Sequence, residues 1–261
     1  MRLKLILQHP PGAAIPINYA YFISAWIYRT LEKANPVFAN WLHENGFDYG
    51  GKKYKLFCFG PLLPQRYEVD KKNGTFILSQ GPTRLDLSFF VDKALEHFVI
   101  GLFQNQHFSL GDGRFSVNFE VVALETLPRQ SFQPTMTFRL LTPLCISHDV
   151  ASEKHPQYLS PEAANYGALF SQNLIRKQRA KQGISAGPSD HTLEEPFGFK
   201  LLSSPRPKLF RLKDIEVKAY LFDFELTAPV ELMELGYYAG FGEKNSGLGM
   251  GMGVVFKNPL N

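Results

Sequence analysis

Leu3, Leu5 and Leu7 alternate with Arg2, Lys4 and Gln8, the period-two pattern of a half-buried strand. After Pro10-Pro11-Gly12, an apolar-rich stretch over 17–33 carries Phe22, Trp26 and Thr30/Leu31 at helical spacing, and Pro16 is placed to open it. Asn35-Pro36 reads as the cap and first residue of a second, short helix that runs to His43 and ends near Gly46. Residues 53–59 and 75–79 read as strands, the latter after the turn signal Asn73-Gly74. Leu87, Phe90, Val91, Leu95 and Phe98 share one side of a predicted helix over 86–99, and 117–124 is the next strand.

The order strand, helix, strand, strand, helix, strand is that of a ferredoxin-like unit. It recurs in the second half. Met136, Phe138 and Leu140 alternate within a strand over 135–141, and 161–181 is a helix with a basic end. Strands follow over 208–212 and 215–226, then a short helix over 230–235 after Pro229, and a last strand over 252–256. The Gly-, Ser- and Pro-rich stretch 183–205 is predicted to be an exposed loop. The chain is thus expected to be α+β, with two tandem ferredoxin-like domains over 1–127 and 133–261.

Composition fits that picture. A length of 261 residues suits one large domain or two ordinary ones, and 44% hydrophobic with 20% charged residues excludes a disordered chain. The net charge of +4 permits a polyanionic partner without requiring one. The cysteines are Cys58 and Cys145, too few for a disulfide framework or a four-cysteine zinc site, so a reducing cytoplasm is expected. The first residues lack the long apolar core of a signal peptide, and no apolar run approaches the ~18 residues of a membrane span. Cys145, His148 and His155 fit no standard zinc spacing, and Ser79 and Asp86 have no neighbouring histidine for a hydrolase triad. No metal or cofactor is expected.

Candidate chemistry is concentrated near the C-terminus, where seven glycines fall within residues 236–253. Such a stretch lets backbone N–H groups approach an anion closely. A dinucleotide site would need a helix and a further strand after it, and a Walker loop would need Gly-Lys-Ser/Thr. Two readings remain open. One is a surface loop or a set of bulges. The other is a cradle for a phosphate backbone built on Gly240, Gly242, Gly247 and Gly249, with Lys244, Asn245 and Ser246 supplying charge and hydrogen bonds. Two basic clusters accompany it, Arg176, Lys177, Arg179 and Lys181 on the predicted helix, and Arg206, Lys208, Arg211 and Lys213 around the hairpin. Arg176, Arg179, Lys208 and Arg211 are the candidate phosphate contacts. The plainer account is a solvated face, with cations favoured at a helix C-terminus. Tyr237, Tyr238 and Phe241 could stack bases or be core.

The run Ala239-Gly-Phe-Gly-Glu-Lys-Asn-Ser-Gly-Leu-Gly-Met-Gly resembles the C-terminal glycine-rich signature of the CRISPR-associated endoribonucleases that cut precursor CRISPR RNA within its repeats. The strand MRLKLIL, the helix with Ala25-Trp-Ile-Tyr28, then Leu42-His-Glu and Lys55-Leu-Phe follow the order seen in that family. The resemblance implies two ferredoxin-like domains with a glycine-rich loop before the last strand. It also implies metal-independent cleavage, in which a 2′-hydroxyl attacks the adjacent phosphate and leaves 2′,3′-cyclic phosphate and 5′-hydroxyl ends. His43 matches the family's proton-transfer residue, Tyr28 its helix tyrosine, and Lys55 the lysine that faces transition-state charge. Lys52 and Lys53 stand near enough in sequence to substitute for Lys55. The implied partner is CRISPR repeat RNA, with other subunits of a CRISPR complex or a second copy as further partners. A non-catalytic repeat-binding subunit is the alternative.

Overall fold

The computed structural model describes residues 1–148, 156–186, 197–212 and 215–256. The chain groups into two units, one of residues 1–44 and 59–129, the other of 45–58 and 130–261. Residues 45–58, which the expected boundary puts in the first domain, thus belong with the second unit.

In the first unit the strand Arg2–Gln8 is central. It pairs antiparallel with Thr83–Phe89 on one side and Ser116–Thr126 on the other, and His107–Gly111 extends the sheet beyond Ser116–Thr126. Leu3, Leu5 and Leu7 are buried, as their alternation predicts. Three helices belong to this unit, α1 (Ala20–Ala34), α2 (Pro36–Glu44) and α3 (Asp92–Gln104). α1 buries Ile23, Trp26, Ile27, Thr30 and Leu31, three and four residues apart, against α3. That crossing is close because Gly101 has no side chain, and a Cβ there would overlap the Thr30 carbonyl oxygen. Trp26 stacks on Phe108 at 3.9 Å between centroids and meets Phe98 edge-on. Asn35 Oδ1 accepts the Phe38 N–H at 2.9 Å, capping α2 as expected.

The predicted helix over 86–99 is corrected by the structure. Residues 83–89 form a strand and the helix begins at Asp92. Leu85, Leu87 and Phe89 fit a period of two as well as they fit a helix. Pairing with Arg2–Gln8 decides between them, because it satisfies the backbone of a segment buried nearly throughout.

In the second unit a four-stranded sheet runs in the order Gly198–Leu201, Asp223–Thr227, Thr135–Leu140, Gly253–Val255. That is the ferredoxin-like order, with α4 (Tyr166–Gln182) and α5 (Val230–Ala239) as its helices. The predicted loop over 183–205 therefore contains an edge strand. Phe199 makes the difference, since its ring packs on Phe170, Phe222 and Phe224 at 5.3–6.2 Å. Phe241 is fully buried in the same cluster, and Tyr237 and Tyr238 are buried beside it. These three rings are core and are unavailable to stack bases. A hairpin, Arg206–Leu212 with Ile215–Leu221, a smaller one, Phe47–Tyr49 with Lys52–Tyr54, and the short pair Ser147–His148 with Gln157–Tyr158 also belong to this unit, the Phe47–Tyr54 hairpin packing on α4. A short helix, α6 (Asn245–Leu248), follows α5. No described helix is long and apolar enough to cross a membrane.

Candidate nucleic-acid interface

The buried stripe of α4 runs through Tyr166, Phe170, Asn173 and Leu174 and reaches Lys177 one turn later. Lys177 is therefore inward-facing and only 2% exposed. Its Nζ donates to the carbonyl oxygens of Gly240 and Gly242, both at 2.6 Å, and to Asn245 Oδ1 at 2.7 Å. Asn245 Nδ2 in turn donates to the carbonyls of Phe241 at 2.9 Å and Met250 at 2.8 Å. Two side chains thus tie the glycine-rich segment together from within. Burial pulls the Lys177 ammonium down to about 7, against the opposing push of Cys58, Glu243 and Cys145.

The glycines make this closure possible. Gly240 has φ +92°, and a Cβ there would lie 2.6 Å from Asn245 Nδ2. At Gly251 (φ +74°) a Cβ would overlap the Phe241 carbonyl oxygen, where the Phe241 N–H already donates to the Gly251 carbonyl. Gly240, Gly242 and Gly249 are all buried and shape the segment, and Gly242 also lines the cleft described below. The outward part is the turn from Lys244 to Gly247. Lys244 and Gly247 are exposed, Asn245 and Ser246 half-buried, and nothing lies within 4 Å of where a Gly247 Cβ would be.

This turn forms one wall of a cleft of about 500 Å³, and residues Lys52, Lys53, Tyr54 and Lys55 form another. Asn173, Lys177 and Tyr158 also line it. The structure therefore brings the predicted Lys55 together with Lys244, Asn245, Ser246 and Gly247, with Lys52 and Lys53 alongside. Lys55 is half-buried, and its side chain runs past Gly46, where a Cβ would lie 3.2 Å from Lys55 Nζ. Among the described residues, the non-glycine positions with positive φ are Leu56 (+55°) and Lys244 (+58°). Both line this cleft. Each such conformation costs about 1 kcal/mol or more, and strain of this kind gathers at functional sites. Among the described lining residues the one carboxylate is Glu243, held by Ser147, whose hydroxyl donates to it at 2.8 and 3.0 Å.

The other two predicted catalytic residues sit together in the first unit. His43, in the last turn of α2, meets Tyr28 of α1 edge to face, with ring centroids 4.8 Å apart and planes at 89°. His43 Nδ1 is 2.7 Å from Glu44 Oε1. A carboxylate only accepts, so Nδ1 carries the proton in this pair. The His43 side chain is 60% exposed.

The basic residues divide. Arg176 lines a smaller recess of about 240 Å³ that shares Lys52, Tyr54, Asn173 and Glu243 with the main cleft. Arg179 Nη1 donates to the Tyr49 hydroxyl at 2.9 Å and its guanidinium lies over the same ring, so it fastens the small hairpin to α4. Lys208 is exposed on the larger hairpin, and Arg211 lies on the same strand, opposite Glu216. Lys213 and His155 lie outside the described residues. Lys177 is the residue that a reading of charge alone misplaces. Its spacing from Phe170 and Leu174 is the signal that marks it as inward. Among the described residues no group of three or more His, Cys, Asp or Glu side chains is placed to hold a metal ion.

Comparison with known proteins bears on this directly. The family model described as CRISPR-associated protein Cas6, N-terminal, matches residues 14–121, and that described as CRISPR associated protein Cas6, C-terminal, matches 127–255. CRISPR-associated endoribonuclease Cas6 1 of Methanocaldococcus jannaschii is 30% identical over 266 residues, spanning 100% of this chain and 96% of that protein. This chain belongs to the Cas6 family. It is a CRISPR-associated endoribonuclease. The Cas6 of Pyrococcus furiosus is 28% identical over 245 residues, covering 94% of this chain and 84% of that one. A solved CRISPR associated protein Cas6 matches with a TM-score of 0.74 at 28% identity, covering 98% of this chain and 99% of that chain. A Cas6-related protein of Pyrococcus furiosus shares the fold, with a TM-score of 0.80 at 21% identity and 98% of each chain covered. Tyr28, His43 and Lys55 fall within the N-terminal Cas6 match and the glycine-rich segment within the C-terminal one.

Proposed function

We propose that this Cas6 protein binds CRISPR repeat RNA and cuts it without a metal, by attack of a ribose 2′-hydroxyl on the adjacent phosphate. The O2′–P bond forms as the P–O5′ bond breaks, leaving a 2′,3′-cyclic phosphate and a 5′-hydroxyl. The 2′-hydroxyl proton passes to His43, whose Nδ1 is paired with Glu44. Lys55 faces the developing phosphorane charge. Tyr28, set edge-on to the imidazole, assists as a hydroxyl donor to the departing 5′-oxygen. The turn from Lys244 to Gly247 and the lysines of the facing wall hold flanking phosphates, with Arg176 of the adjoining recess and the exposed Lys208 as further phosphate contacts.

The observation that carries this reading is the cleft itself, in which Lys55 shares a wall-to-wall space with an outward turn whose closure depends on Lys177 and Asn245. The chemistry has its own test. A repeat RNA with a single 2′-deoxyribose 5′ to the scissile phosphate is expected to bind and remain intact, while the all-ribose RNA yields a cyclic phosphate end. Cleavage of the deoxy-substituted RNA at the same bond would refute the 2′-hydroxyl mechanism.

A further inference from the structure

Two polar groups at the cleft have no role in the reading above. Asn173 of α4 is 8% exposed, and its Oδ1 has no hydrogen-bond partner among the described residues. The Tyr54 hydroxyl, from the small hairpin, is buried and equally unpartnered there. Both line the main cleft and the recess that adjoins it, and they do not bond to each other. Buried polar atoms are nearly always paired, so two orphans on residues that line one cleft need an explanation. Burial pushes the Tyr54 hydroxyl up to about 12, which keeps it a neutral O–H donor.

The rest of the lining says what would complete them. Leu56 and the half-buried Tyr158 give the cleft an apolar wall, while Lys52 and Lys244 stand exposed at its rim. A free phosphate would be served by the rim alone and would leave the apolar wall and the polar floor unused. A base has a flat apolar face, an edge of donors and acceptors, and a phosphate on either side, which matches all three features. We propose that this cleft takes one splayed nucleobase of the single-stranded repeat, with Asn173 and Tyr54 reading its edge. Asn173 is then a specificity-determining residue for the cleavage assigned above, and this inference rests on that assignment.

The test is cleavage of a panel of repeat RNAs, each changed at one nucleotide around the cut, by the wild-type protein, Asn173→Leu and Tyr54→Phe. Wild type is expected to discriminate by about tenfold or more at one position, the range a well-made base contact supplies. Asn173→Leu should flatten discrimination at that position and retain it elsewhere. Tyr54→Phe, which preserves shape, should weaken it at the same position. A variant that slows all RNAs equally, or keeps the wild-type base preference, overturns the pocket. Wild-type protein that cuts no repeat RNA overturns the functional reading as well.

Discussion

Lys177 Nζ and Asn245 Oδ1 are 2.7 Å apart, and through that bond α4 holds the segment from Gly240 to Met250 in shape. Replacing Lys177 with Met leaves the carbonyls of Gly240 and Gly242 and the Asn245 amide without their buried donor. The expected loss of stability is about 2–5 kcal/mol, read from urea unfolding. Affinity for repeat RNA should fall in parallel, because the outward turn loses its support. Unchanged stability in Lys177→Met would show that the segment closes without it.

The glycines separate fold from function. Gly251→Ala places a methyl on the Phe241 carbonyl at a positive φ and is expected to lower stability by about 2 kcal/mol or more. Gly247→Asp has open space around it and should leave the melting temperature unchanged. Its new carboxylate, on the exposed turn, should weaken RNA binding by charge alone. The two variants, compared by thermal melting and by RNA titration, should therefore fail in different assays.

Alkaline pH offers a test of the buried Tyr54. Its hydroxyl is pushed from 10.0 to about 12, chiefly by burial. A group with a raised folded pKa contributes stability that is full below its unfolded value, here about 10, and is lost as pH climbs through 12. At pH 11 the unfolded tyrosine is mostly ionised and the folded one mostly neutral. By pH 11 this group has therefore cost the wild type about 1 kcal/mol of the stability it has at pH 8, a loss that Tyr54→Phe does not show. Urea midpoints of wild type and variant, compared at pH 8 and pH 11, are expected to show a change of that sign and size.

Exposed and engaged arginines and lysines should also separate. Lys208→Glu, on the exposed face of the larger hairpin, should reduce the salt dependence of RNA binding by about one unit of slope, with no change in melting temperature. Arg179→Ala breaks the bond to the Tyr49 hydroxyl and should lower the melting temperature, loosening the hairpin that carries Lys52, Lys53 and Tyr54.

Much of the fold is legible in the order of residues. The alternation of Leu3, Leu5 and Leu7, the Asn35-Pro36 cap and the spacing of Phe22 and Trp26 all lie within single elements, where local rules operate. Residues 83–89 were ambiguous because their apolar spacing satisfies both periods, and only the neighbouring strand Arg2–Gln8 resolves it. The strand Gly198–Leu201 is hidden in a stretch rich in Gly, Ser and Pro, and its support, the rings of Phe170 and Phe224, is remote in the chain.

The site follows the same division. The glycine-rich run marks a place where backbone comes close, and most of those glycines make room for neighbours within the protein such as Asn245, Phe241 and Cys145. Lys177 reads as one cation in a basic cluster until the carbonyls it serves, more than sixty residues away, are in view. Asn173 and Tyr54 carry no local signal, since an unpartnered atom is a property of the packed structure alone.

His43 is the residue on which cleavage depends most directly. Repeat RNA is incubated in EDTA with wild-type protein and with His43→Ala, and binding and cleavage are followed separately. The prediction is that wild type cuts at one site and leaves a 2′,3′-cyclic phosphate, while His43→Ala binds with similar affinity and cuts at least about a hundredfold more slowly. Wild-type cleavage that stops in EDTA, or a His43→Ala protein that cuts as fast as wild type, would contradict it.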